Sequence, residues 1–265
     1  MADGVGEHGQ TLFECNDVCL ELAHHGGRRL IIDRLSLDVR AGEFLTIVGS
    51  SGTGKTTLLR LLGGLVAATG GSIRFRGAPV VGAPPEVVVV FQDYSNALLQ
   101  WRSIARNVSL GVEAHLDRSA VAQRVGEALQ MVGLERNADD YPWQLSGGMQ
   151  QRVQIARALA LKPQVMLMDE PFGALDAMTK AALQDELLQV HARTGTSFVF
   201  ITHDIEEAVY LGDRVVVLAG PPGRIYKVVP ISLPRPRDQI TTRQAPEFLQ
   251  HRLDIHNAVL DARGH

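Results

Sequence analysis

The sequence predicts an α/β fold: a parallel sheet covered by helices, with a helical lobe inserted into it. Three observations lead there. Short β-branched runs alternate with longer helical patterns, the texture of strand–helix–strand units. A Gly-rich turn stands between one such strand and the helix that follows it. From about 95 to 163 the texture is helical throughout, long enough for a lobe of its own.

In chain order, 35–39 and 44–48 read as strands, and 55–62 as a helix starting directly from the Gly-rich turn. The stretches 72–76 and 87–91 read as strands. In the helical block, Val121, Val125, Leu129 and Val132 fall on one face. A second helical stretch follows Ser146 and ends at Lys162–Pro163, as a proline requires. Strand texture returns at 165–168, 198–201 and 214–218, with a helix over 179–192 between the first two. From Pro221 onward the texture loosens, and Pro234 and Pro236 punctuate a link to a last amphipathic helix over roughly 245–261. A docking helix is the simplest role for that tail. No internal repeat or low-complexity segment is visible.

The 265 residues, 45% of them hydrophobic, suffice for one large domain or one domain with an inserted lobe. A net charge of −3, from 26 basic and 29 acidic residues, does not advertise a nucleic-acid partner. No run approaches the 18 apolar residues of a membrane span. The opening MADGVGEHGQ lacks the basic and apolar regions of a signal peptide and reads as a frayed tail. The expected place is the cytosol, or a membrane surface reached through a partner. Cys15 and Cys19 are the only cysteines, and with no second pair of ligands they read as ordinary buried thiols.

The Gly-rich turn is Gly49-Ser50-Ser51-Gly52-Thr53-Gly54-Lys55-Thr56, which fits G-x-x-x-x-G-K-[ST], with Thr57 opening the helix pattern behind it. Glycines let successive N–H groups turn inward onto phosphate oxygens, and the new helix adds its positive end. Lys55 is expected to bridge the β- and γ-phosphates of ATP, and the Thr56 hydroxyl to hold Mg²⁺. The bland alternative, a chance Gly-rich turn, does not account for a strand before and a helix after.

At 165–170 a buried strand ends in Asp169 and Glu170. Carboxylates at the carboxyl end of a central strand sit where α/β sheets bind ligands. Asp169 is expected to hold Mg²⁺ through its water shell, and Glu170 to polarise the attacking water. Two solvated acids at a strand end would be the plain reading if no phosphate loop stood beside them.

Those features are common to many nucleotide enzymes; the octet Leu145-Ser146-Gly147-Gly148-Met149-Gln150-Gln151-Arg152 discriminates. It is a helix start with Ser146 as N-cap, and so a second anion site. One chain needs one phosphate loop for one ATP. A second terminus makes sense if it closes over ATP held by another subunit.

In these residues the chain resembles the ATP-binding cassette family, and the octet is similar to its signature motif. The resemblance runs from about 12 to 230. Gln92 resembles the Q-loop glutamine, which senses Mg²⁺ and the attacking water and couples to a membrane partner. Ala174-Leu175-Asp176 resembles the D-loop at the dimer interface, and His203 the switch histidine that contacts the γ-phosphate. The implied fold is a P-loop NTPase core with a parallel sheet, an N-terminal antiparallel β subdomain and an inserted α-helical subdomain. The implied division is a disordered tail over 1–10, an ATPase domain over 11–230 with its helical subdomain at about 95–163, and a C-terminal extension over 231–265. The implied mechanism is a homodimer that sandwiches two ATP molecules, each between one copy's phosphate loop and the other's Ser146, Gly147, Gly148 and Met149. Three positions depart from the family: Met149 replaces the usual Gln, Gln100 replaces a Pro before Trp101, and Leu22, with His24 and His25 nearby, stands where an aromatic residue stacks on adenine.

Within the family, the runs at 91–94, 98–101, 203–209 and 222–225 resemble importers of the nitrate, sulfonate, taurine and bicarbonate type. That branch implies an integral membrane permease, an extracytoplasmic solute-binding protein, and a peripheral position on the cytoplasmic face of the inner membrane. The Glu206/Glu207 pair in 203–209 also reads as a solvated helix face. Other readings stay open: a lipid or export transporter with separate permeases, and a soluble ATPase of the same superfamily. A single phosphate loop and the lack of coiled-coil or zinc insertions count against the latter.

Overall fold

The computed structural model describes residues 9–24, 26–92, 97–173 and 175–263, and of His24 only the backbone. Expectations for 1–8, His25, Asp93, Tyr94, the start of the helical block at 95–96, and Ala174 fall outside the described residues.

A six-stranded sheet forms the centre. Its order is β10 (Arg224–Pro230), β9 (Arg214–Ala219), β3 (Phe44–Gly49), β8 (Ser197–Ile201), β7 (Val165–Asp169) and β6 (Val87–Val90). All neighbours run parallel except β10 on β9. Every residue of β3, β7 and β8 is buried, as expected of parallel strands covered on both faces. A second, antiparallel sheet has the order β2 (Gly27–Arg40), β1 (Thr11–His24), β4 (Gly70–Phe75) and β5 (Ala78–Pro79).

Side-chain alternation along the parallel strands divides the interior in two. Leu45, Ile47, Val199, Ile201 and Leu218 pack with the antiparallel sheet and with Leu58, Leu59, Leu61 and Leu62 of α1 (Lys55–Leu62). Phe44, Phe198, Phe200, Met166 and Met168 point to the other side. There they join the helices of the middle block, α2 (Ile104–Ser109), α3 (Arg118–Met131) and α4 (Gly147–Ala160), in one continuous core. Helices α5 (Ala177–Thr194), α6 (Ile205–Leu211) and α8 (Pro246–Ala262) share that core, and a single turn, α7 (Thr241–Gln244), precedes α8.

Side-chain caps set the helix starts. Ser103, Asp117, Ser146, Asp176 and Asp204 each accept a backbone N–H two or three residues on. The face expected of 121–132 is in place, with Val125, Leu129 and Val132 buried and Val121 packed against them. Cys15 is buried, and burial pushes its thiol up to about 12. Cys19 is only half-buried and accepts the Arg34 N–H at 3.3 Å; both thiols are free.

Three expectations need correction. The texture after Pro221 does not simply loosen, because Arg224–Pro230 is the edge strand β10. Only Val229 of its residues is fully buried, so it lacks the apolar alternation that marks a strand. The first strands are also far longer than the run at 35–39, because the outward-facing positions of the β1–β2 ribbon carry charged and polar residues. Finally, Glu207 does not lie on a solvated helix face: it is buried, whereas Glu206 is half-buried and paired with Arg243 and Arg252.

The link before α8 is tied down by Arg237. Its nearly inaccessible guanidinium donates to the carbonyls of Val209, Tyr210 and Gly212, which close α6. Burial pulls the Arg237 pKa down to about 10.

Candidate functional site

The phosphate loop leaves β3 at Gly49 and enters α1 at Lys55. Gly54 has φ +88, and a Cβ there would lie 2.7 Å from Ile32 Cδ1, so both conformation and space require glycine. Ser51 and Gly52 are exposed at the loop tip, while the Thr53 hydroxyl turns back to donate to the Ser50 carbonyl at 2.9 Å. The buried Lys55 ammonium folds along the loop and donates to the carbonyls of Gly49 at 2.9 Å and Ser50 at 3.1 Å. Burial pulls its pKa down; the charges of Glu170 and Asp169 oppose that. Thr56 and Thr57 form the first turn of α1.

Asp169 ends β7, separated from β3 by β8 alone. Burial raises its pKa, and a hydrogen bond from the Thr56 side chain and the Lys55 charge counter this, while Glu170 adds to it. Glu170 has φ +44, a left-handed conformation that costs a non-glycine residue free energy and clusters at functional sites. The turn is held from both sides: the Glu170 N–H donates to Ile201 at 3.0 Å, and its carbonyl accepts from Gly173 at 3.2 Å. This kink brings Glu170 Oε2 to 3.2 Å from Nδ1 of His203, which follows β8 and is exposed. Lys55, Thr56, Asp169, Glu170 and His203 thus meet at the carboxyl ends of β3, β7 and β8.

A network behind His203 escaped sequence reasoning. The Thr202 hydroxyl donates to the buried Glu207 carboxylate and accepts from the Asp204 N–H at 3.0 Å. Gln184 donates to Glu207 at 2.9 Å, and Lys180 pairs with Asp204 at 2.7 Å. Burial raises the Glu207 pKa against the pull of Lys180. The one sequence signal was the His203–Glu207 run, and its periodicity does not separate a buried Glu from an exposed one.

Other expected site residues stand apart. Gln92 is exposed just beyond β6; its Nε2 would be 3.7 Å from a Cβ on Gly173. Ser146 caps α4 by accepting the Met149 N–H, and Gly147, Gly148 and Met149 form that helix's first turn. A Cβ on Gly148 would lie 2.4 Å from Thr179 Cγ2 of α5, so the signature turn packs directly on the next helix. Asp176 caps α5, held well below the usual carboxylate range by Thr179 and Met178. No hydrogen bond or ion pair among the described residues joins 146–149 to 49–57. Leu22 is 43% exposed on β1, opposite Arg29, and Trp101 is 76% exposed.

The donor set suits Mg-ATP. The Thr56 hydroxyl and the Asp169 carboxylate are close enough to influence each other's electrostatics, and such oxygens are what a hard divalent cation takes. The loop adds an ammonium and a helix N-terminus for phosphate.

A family model described as "ABC transporter" matches residues 32–173, more than half of the chain. The chain belongs to the ABC transporter family. It is 47% identical over 238 residues to an uncharacterized ABC transporter ATP-binding protein of Methanocaldococcus jannaschii, covering 89% of this chain and 87% of that one. It is 44% identical over 232 residues to the nitrate import ATP-binding protein NrtD of Synechococcus elongatus, covering 86% and 84%. Among solved structures, it resembles the dimeric post-hydrolysis state of the ATP-binding cassette MJ0796 bound to ADP and Pi. There the TM-score is 0.71 at 29% identity, covering 83% of this chain and 99% of that one. This ABC transporter subunit binds ATP and is an ATPase coupled to transport. No helix among its described residues is long and apolar enough to cross a membrane.

Proposed function

We propose that this ABC ATPase binds Mg-ATP in the 49–57 loop, works as a homodimer, and powers uptake of a small anionic solute through a separate membrane permease. The convergence of Lys55, Thr56, Asp169, Glu170 and His203 at three strand ends carries the reading. Thr56 and Asp169 would hold Mg²⁺, with Gln92 completing its surroundings; the cation supplies neutralisation of phosphate charge. Glu170 would accept a proton from the attacking water, and His203, fixed by its contact with Glu170, would meet the γ-phosphate. No hydrogen bond or ion pair among the described residues ties Ser146, Gly147, Gly148 and Met149 to the loop of their own chain, which supports closure over the partner's nucleotide across Asp176. The cassette would span 11–230 with its helical subdomain inside it, and 231–265 would be an extension.

The import direction and solute class rest on the nitrate import relative and on the 91–94, 98–101, 203–209 and 222–225 runs. Nitrate, a sulfonate, taurine or bicarbonate would reach the permease from an extracytoplasmic solute-binding protein, with this subunit held at the cytoplasmic face. Tagging the chain, solubilising native membranes gently and identifying what co-purifies tests this: a multi-span permease is expected, and purely soluble partners would end the import reading.

The sandwich has its own test. In Ser146→Arg the long cation fills the signature turn, so ATP should bind with near-normal affinity while ATP-dependent dimerisation on gel filtration disappears. A dimer peak matching the parent protein would remove Ser146 from the interface.

A further inference from the structure

We propose that the C-terminal helix delivers Arg263 to the nucleotide site as a phosphate-binding residue, an inference that rests on reading 49–57 as the nucleotide loop. Arg263 Nε donates to the Ser50 hydroxyl at 3.1 Å, across 213 residues of sequence. Ser50 lies inside the phosphate loop, so the guanidinium stands at the rim of an anion site.

The helix leaves Arg263 little choice of position. Phe248, Ile255, Ala258 and Ala262 of α8 are buried in the main core, the last of them directly before Arg263. Halfway along, Arg252 pairs with Glu206 of α6 at 2.8 Å. Between these helices an open cavity is lined by His203, Asp204, Glu206, Arg252, Leu253 and His256. The extension therefore runs from the neighbourhood of the switch histidine to the phosphate loop, along one side of the site.

Charge supplies the rest of the reasoning. Among the described residues, no carboxylate pairs with Arg263. A guanidinium has five N–H donors in a planar fork matched to phosphate oxygens, and Ser50 takes only one. A polyanion in the loop offers the acceptors that the side chain lacks.

Full-length wild-type protein, Arg263→Ala, Arg263→Lys and Lys55→Ala are titrated with AMP-PNP and ADP by calorimetry, and the unliganded thermal midpoint of each is recorded. Arg263→Ala is expected to weaken AMP-PNP about tenfold and ADP no more than that, with an unchanged midpoint, as for loss of one exposed charge-assisted contact. Arg263→Lys should recover part of the affinity. Unaltered binding overturns the proposal, and so does tighter binding, which would make Arg263 a latch that nucleotide must displace. A loss accompanied by a lower midpoint and not relieved by Lys would make the contact structural. Wild-type protein that binds neither nucleotide overturns the nucleotide reading itself; wild-type binding that is lost in Lys55→Ala but kept in Arg263→Ala sinks this inference alone.

Discussion

Glu170→Gln is expected to bind ATP as tightly as the parent protein and to release phosphate about a hundred to a thousand times more slowly. A positioned general base contributes roughly 10² to 10⁴ in rate, and the amide keeps the shape of the carboxylate while losing its basicity. The backbone at Glu170 is held independently of its side chain, through Ile201 and Gly173, so the kinked turn should survive the exchange. The amide oxygen or nitrogen can still meet His203 Nδ1, which the carboxylate now reaches at 3.2 Å. Single-turnover phosphate release and nucleotide titration on the same preparation separate the two effects. Turnover within threefold of the parent would move the base elsewhere, and His203 would be the next residue to replace. In the sandwich, the slow variant should also accumulate as an ATP-bound dimer.

Lys55→Ala is expected to abolish measurable ATP binding, a loss of about a hundredfold or more. Hydrogen bonds to charged groups contribute about 1.5–3 kcal/mol each, and a factor of ten corresponds to about 1.4 kcal/mol. The ammonium is buried and already desolvated, so part of the cost of bringing a cation to the phosphates is met during folding. In the free protein it satisfies two loop carbonyls, Gly49 and Ser50, and holds the loop in its curled form. Removing it takes away both a charge and a brace. Fluorescent-nucleotide binding measures the outcome; unchanged affinity would show that the loop N–H groups suffice without the lysine. A circular-dichroism melt on the same variant distinguishes lost binding from a lost fold.

The parts of this fold most legible from the sequence are those in which local chemistry and global packing agree. The phosphate loop is an example: Gly54 can be nothing else, and the helix behind it begins at Lys55 as the pattern indicates. In the buried strands, 165–168 and 198–201 are continuous apolar runs because both faces are covered. Legibility fails where a residue's surroundings come from distant chain. Strand β10 is visible only through its pairing with β9, because most of its own residues face solvent. Glu207 is buried because Lys180, Gln184 and Thr202 arrive from two other elements to meet it. Arg263 reaches Ser50 from the far end of the sequence, and no spacing rule connects the two. The motifs locate individual site residues; the distances between them belong to tertiary structure.

The division of the interior by the parallel sheet has a mechanical consequence. The nucleotide-gripping helix α1 is rooted in one core with the antiparallel sheet. The middle helices and α8 are rooted together in the other, so a torque applied to the outer helices is resisted by the same side chains that seat the tail. Strain arriving from outside would therefore load the C-terminal helix first, and would reach the phosphate loop through the sheet between them and through the Arg263–Ser50 contact.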